Sequence, residues 1–136
     1  RLRKKEPPEA SVMLDHEAGD SAQVDFGAGP VIVDILTGEE FKTWFFVMTL
    51  AWSRHQYAEI VRDQKLTTWL GCHRRAFEFF NGIPARVMID NLKAGIIKAC
   101  WHDPVVQRSY GECAEDYGFI ISPCPPHDPK KKGRVE

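Results

Sequence analysis

The chain has 136 residues, enough for one hydrophobic core and too few for two ordinary ones. Its 18 Lys and Arg against 19 Asp and Glu give a formal net charge of -1. This excludes a uniformly basic coat for nucleic acid but permits a local basic patch beside an acidic pocket. The longest strongly apolar run, Trp44 to Trp52 (WFFVMTLAW), is far shorter than the roughly 20 residues a membrane-spanning helix needs, and the first residues, RLRKKEPPEA, lack the apolar stretch of a secretory leader. The sequence predicts a soluble, unexported, single domain.

Residues 1–20 are charged and proline-bearing and read as a linker from an upstream region. The fold proper is expected over 21–136. Ala22, Val24 and Phe26 alternate with Gln23, Asp25 and Gly27, the period of a half-buried strand. β-like stretches follow at Val31–Leu36, Thr43–Ala51 and Gln56–Val61, separated by turn-forming residues, and predict an antiparallel meander. The period then changes: Leu66, Trp69, Leu70, His73, Ala76, Phe77 and Phe80 recur at three- and four-residue spacings, and Asn81-Gly82 marks a helix stop. Ala85 to Asp90 reads as a short buried strand ending in an acid, Lys98 to Pro104 as a loop, Pro104–Tyr117 as a second helix and Phe119–Ser122 as a last strand. A proline-broken tail should begin another helix near Lys132 or Gly133. Three antiparallel strands followed by alternating helices and strands predict an α/β fold, a mixed sheet with helices on both faces.

Cys72, Cys100, Cys113 and Cys124 form no C-x-x-C pair, so reduced and partly buried thiols are expected. The acids are more informative. Asp is depleted in strand interiors, so Asp25 between Val24 and Phe26 asks for a reason. It is either a hydrogen-bonded residue on a solvated face or a functional group. Asp90 closes an apolar strand, where open α/β sheets place ligand groups, and Asn91 and Lys93 follow it. Its structural alternative is an N-cap for NLKAGIIK. Asp34 in VIVDIL competes with Asp25, but its place just before Thr37-Gly38-Glu39 suits a hairpin role better.

QVDFG, PARVMIDNLKAG and PPHDPKKKGRVE together resemble the three signature blocks of the DDE transposase and retroviral-integrase superfamily, most closely insertion-sequence transposases of the IstA type. TGEEFKTWFFVMTLAWSRHQYAE and AFEFFNGIPARV extend the likeness over nearly everything from Gly19 onward. The resemblance implies a ribonuclease-H-like fold, with Asp25, Asp90 and Glu136 as catalytic, metal-binding carboxylates for two Mg²⁺ or Mn²⁺ ions. By the same resemblance Asp25 bridges both ions, and Asp90 and Glu136 each hold one. The implied activity is DNA transposition: hydrolysis frees a 3′-hydroxyl at the transposon end, which then attacks target DNA. Lys130, Lys131, Lys132 and Arg134 would draw the phosphate backbone toward the acids, with Asn91 and Lys93 as further phosphate contacts and His127 and Tyr110 as weaker ones.

Arg54, His55, Trp44, Phe45, Phe46 and Trp52 are assigned to the sheet and its packing. The helix bearing the third acid has no residues beyond Glu136, so the chain reads as a core truncated at the start of that helix. The loop around Lys98 to Pro104 would absorb a wider spacing between the second and third acids than in retroviral relatives. The resemblance further implies transposon-end and target DNA, homo-multimers and an AAA+ ATPase helper as partners, and a cytoplasmic, nucleoid-associated protein of bacteria. A ribonuclease-H-like nuclease without strand transfer and a non-catalytic fragment for DNA or protein assembly are the alternatives.

Overall fold

The computed structural model describes residues 21–89 and 93–122. β1 (Ser21–Ala28) buries Ala22, Val24 and Phe26 and exposes Gln23 and Asp25, the alternation its sequence dictates. A small ribbon follows, β2 (Ile32–Val33) with β3 (Glu40–Phe41). Then come β4 (Trp44–Leu50) and β5 (Gln56–Val61). Five strands form the main sheet in the order β5-β4-β1-β6-β7, where β6 is Arg86–Met88 and β7 is Ile120–Ser122. The β5/β4/β1 pairings are antiparallel, while β6 runs parallel to β1 and to β7. The sheet is mixed, as expected.

The segment Val31–Leu36 is not a strand of that sheet. Only Ile32 and Val33 pair, with Phe41 and Glu40, and their side chains are exposed. An apolar run without a face to bury gains little from joining a ladder.

Helix α1 (Leu66–Phe80) lays Trp69, Cys72, His73, Ala76 and Phe77 against the sheet. It stops where the sequence says, because Asn81 takes a left-handed conformation (φ 62°) and returns its N–H to Phe77 and Glu78. Helix α2 (Gly95–His102) takes in most of the stretch expected as a loop at Lys98 to Pro104. Its first N–H, on Gly95, is met at 2.8 Å by Oε1 of Gln64, a cap supplied from 31 residues away. Helix α3 (Pro104–Tyr117) has local signals at both ends: Asp103 accepts from Val105 and Val106 N–H, Pro104 occupies the first turn, and Gly118 closes it at φ 93°. Buried side chains of all three helices join one core with Val24, Phe26, Phe46, Val87, Ile89 and Ile121. Among the described residues the helical layer lies on this face alone; the face carrying Gln23 and Asp25 is uncovered.

Inside the core is one polar pair. His73 is fully buried; its Nδ1–H donates to the Trp69 carbonyl (2.9 Å), so Nε2 accepts from the Tyr110 hydroxyl (2.8 Å). Tyr110, expected as a phosphate contact, is instead a wholly buried link between α3 and α1. Burial pushes the His73 imidazole down to about 4 from its ordinary 6.5. The unfolded chain therefore binds a proton between those values that the folded chain refuses, and stability falls as pH drops through 6.5 toward 4. We expect a loss of about 2 kcal/mol between pH 6.5 and 4.5 from this residue, visible in urea titrations. In His73→Phe that part of the slope should vanish; an unchanged slope would refute the assignment.

At the sheet edge, Glu59 of β5 receives Arg75 of α1 through Nε (2.8 Å) and a second guanidinium nitrogen (2.7 Å). The Tyr57 hydroxyl and the Cys72 thiol also donate to Glu59. Arg75 holds the Glu59 carboxyl down to about 2, and burial pushes Cys72 up to about 12. Cys72, Cys100 and Cys113 are free thiols, as expected, and burial raises the latter two to about 12 and about 11. They are packing residues, not nucleophiles. Cys124 lies outside the described residues.

Candidate active site

Asp25 is placed by the pleat of β1. It is opposite Val47 of β4 in the antiparallel ladder, and its side chain is exposed on the uncovered face of the sheet. Two residues on, Gly27 leaves room for the Phe45 ring to cross the strand: a Cβ there would meet that ring at 2.9 Å. On its other side β1 pairs with β6 in parallel, Ser21, Ala22 and Gln23 facing Arg86, Val87 and Met88. Both strands therefore run toward the same end of the sheet. Asp90, Asn91, His127, Lys130, Lys131, Lys132, Arg134 and Glu136 lie outside the described residues, as does the expected linker 1–20. Lys93 is exposed just before α2. Among the described residues no three His, Cys, Asp or Glu gather as a metal site, so Asp25 is the one member of the expected triad whose setting is defined.

Asp34 has a different task. Its Oδ1 accepts from the N–H of Leu36 (2.8 Å) and Thr37 (3.3 Å), its carbonyl from Gly38 (2.7 Å), and its N–H donates to Glu39 (2.8 Å). It ties the β2–β3 turn, where Gly38 supplies φ 76°.

The residues assigned to the sheet and its packing divide. Phe46 is buried, and Trp44 packs against the core, but Trp52 is 66% exposed on the β4–β5 turn, beside exposed Arg54 and His55. Arg54 adopts φ 66°, which the tight connection requires. The resulting aromatic-basic tip was not legible in WFFVMTLAW, whose apolar run ends two residues past the strand. No helix among the described residues is long and apolar enough to cross a membrane.

Residues 15–129 match the family described as integrase core domain. The chain belongs to that family. It is 42% identical over 120 residues to a candidate transposase of Mycobacterium tuberculosis (strain ATCC 25618 / H37Rv), covering 88% of this chain and 29% of the relative. It is 32% identical over 136 residues to the transposase for insertion sequence element IS640 of Shigella sonnei, covering 98% of this chain and 42% of that protein. The integrase core thus spans less than half the length of these relatives. Among solved structures, the HTLV-2 integrase catalytic core domain in complex with magnesium superposes with a TM-score of 0.58 at 11% identity, over 85% of this chain and 66% of that one. At such identity the likeness establishes the fold, which is that of integrase catalytic cores, ribonuclease-H-like.

Proposed function

We propose that this integrase core is the catalytic core of an insertion-sequence transposase, cutting and joining DNA with divalent metal. The observation that carries the reading is Asp25 in mid-strand, exposed on a sheet face that no described helix covers, in a strand whose parallel partner β6 leads into Asp90. The ladder, carried two residues past Gln23–Met88, would set Asp90 beside Asp25. Two carboxylates about 4 Å apart repel by roughly 4 kcal/mol at an effective dielectric of 20, so such a pair is favourable only with a cation between them. Its oxygen donors are hard and suit Mg²⁺ or Mn²⁺, and a solved integrase core of this fold is in complex with magnesium.

Asp25, Asp90 and Glu136 would together hold the two ions. When bound, the ions supply a nucleophile at neutral pH and stabilise the leaving oxygen. The chain's own residues then do the positioning. Asp25, held opposite Val47 by the ladder to β4 and two residues beyond the end of the ladder to β6, would set where the scissile phosphate sits. Lys130, Lys131, Lys132, Arg134 and Lys93 would neutralise the neighbouring backbone, and Asn91 would hydrogen-bond to it. Hydrolysis would free a 3′-hydroxyl at the transposon end, and its oxygen would then attack a phosphorus of target DNA, forming a new phosphodiester bond as the target's own 3′-oxygen leaves and takes up a proton. Multimeric assembly on DNA, a bacterial cytoplasmic, nucleoid-associated setting and an AAA+ ATPase helper belong to the same proposal; the helper rests on sequence resemblance alone.

The test is a paired assay, with Mg²⁺ or Mn²⁺, of the natural protein carrying this core on blunt and pre-cut transposon-end DNA. Cleavage of blunt ends and joining of pre-cut ends are expected. Cleavage without joining would assign a nuclease instead, and neither reaction would overturn the proposal.

A further inference from the structure

The β2–β3 ribbon displays its apolar residues to solvent. Ile35 and Leu36 at its tip are 93% and 92% exposed, with Val31, Ile32 and Val33 exposed below them. The tip is nonetheless tied by the four hydrogen bonds of Asp34 and by the Glu39 N–H donating to Thr37 Oγ1 (3.1 Å). Its root is fixed as well. Gly29 N–H donates to the Thr43 carbonyl (2.9 Å), and the Arg62 guanidinium lies 3.9 Å over the Phe41 ring. A two-residue apolar tip held this firmly is built for contact, since isolated surface leucines need no such scaffold.

Its charges narrow the partner. Glu39 and Glu40 are exposed beside the tip and Asp34 is within it; these acids oppose a phosphate backbone and call for a basic rim around an apolar surface. The chain carries such a surface at its other end. Trp52 stands exposed on the β4–β5 turn with Arg54 and His55. The same turn is bound to the start of β1 through Ala51 N–H and the Ser21 carbonyl (2.9 Å), and exposed Arg86 pairs with Ser21. The hairpin leaves the far end of β1. Eight strand residues at about 3.3 Å each put the two surfaces roughly 25 Å apart, too far for one copy to satisfy itself.

We infer that the core self-associates head to tail, the Ile35-Leu36 hairpin of one copy seating on the Trp52 turn of the next. Because the two surfaces do not overlap, each copy can hold two neighbours, and the contact propagates into a ring or a row. This inference is independent of the catalytic reading.

Sedimentation of the 136-residue chain over a concentration series tests it. The average mass of the wild type should climb past that of a dimer. Ile35→Ser/Leu36→Ser and Trp52→Ala/Arg54→Glu should each weaken association at least about tenfold while keeping the wild-type circular dichroism spectrum, since none of the four residues is buried. The decisive sample is the equimolar mixture of the two variants. The hairpin variant keeps its Trp52 turn and the turn variant keeps its hairpin, so the mixture should form dimers and grow no further. A monomeric wild type, or a mixture no more associated than its components, would overturn the inference. So would loss of DNA affinity in the hairpin variant with self-association intact, which would assign the tip as a wedge into the duplex.

Discussion

Asparagine in place of Asp25 should reduce cleavage and joining together by at least about a thousandfold, or ~4 kcal/mol of transition-state stabilisation. Both reactions would use one set of carboxylates, so neither should survive alone. The substitution keeps size and hydrogen-bonding capacity at an exposed strand position, so the metal-free protein should keep its stability within about 0.5 kcal/mol. Mg²⁺ or Mn²⁺ should raise the melting temperature of the wild type, because a cation that binds the folded acids alone adds RT ln(1 + [L]/Kd) to stability. In Asp25→Asn most of that rise should disappear. Asp34→Asn is the control: an amide oxygen can still accept from Leu36 and Thr37, and Asp34 sits in the hairpin, so activity and metal response should match the wild type. Equal metal-induced shifts in wild type and Asp25→Asn would remove Asp25 from the site.

Trp69→Ala should destabilise the fold by about 3–5 kcal/mol, against a total of roughly 5–15 kcal/mol for a typical domain. Trp69 is fully buried, and four rings surround it: His73 at 4.7 Å, Tyr110 at 5.5 Å, Phe26 at 5.7 Å and Phe46 at 5.9 Å between centroids. These come from α1 itself, α3, β1 and β4, so the vacated space borders several elements that cannot collapse into it together. The indole N–H has no hydrogen-bond partner, and its removal strands no other polar group. The cost is therefore one of packing. Urea unfolding should show a lower midpoint with an unchanged slope; a loss under about 1 kcal/mol would mean the core relaxes around the gap.

Elements with local signals were legible in the sequence. β1 announced itself by alternation, α1 by its spacing and the Asn81-Gly82 stop, and α3 by the proline at its start. Helix α2 did not. It begins with Gly95, Ile96 and Ile97, poor helix formers, and its cap comes from Gln64 in the β5–α1 connection. A pattern confined to neighbouring residues cannot register that bond. The run Val31–Leu36 differs for the opposite reason, since its composition favours a strand while the fold pairs only Ile32 and Val33, in a two-stranded ribbon outside the main sheet. Of the candidate site, Asp25 was readable because a mid-strand acid violates local preference. Tyr110, a weak phosphate candidate in the sequence, is a core residue instead, and its partner, His73, sits 37 residues away on another helix, beyond the reach of a local pattern.

The alternation of β1 also limits what mutation can do to the gene segment encoding it. Ladders on both flanks, to β4 and to β6, hold the strand in place, so an added or deleted residue between Ser21 and Asp25 has no free edge along which to be absorbed. Shifting the frame by one position would turn the carboxylate into the slot of Val24 or Phe26 and present a core side chain to water. Single-codon insertions and deletions there should be purged as unfolded protein, while exchanges at Gln23, two residues before the acid on the same face, pass at little cost to stability.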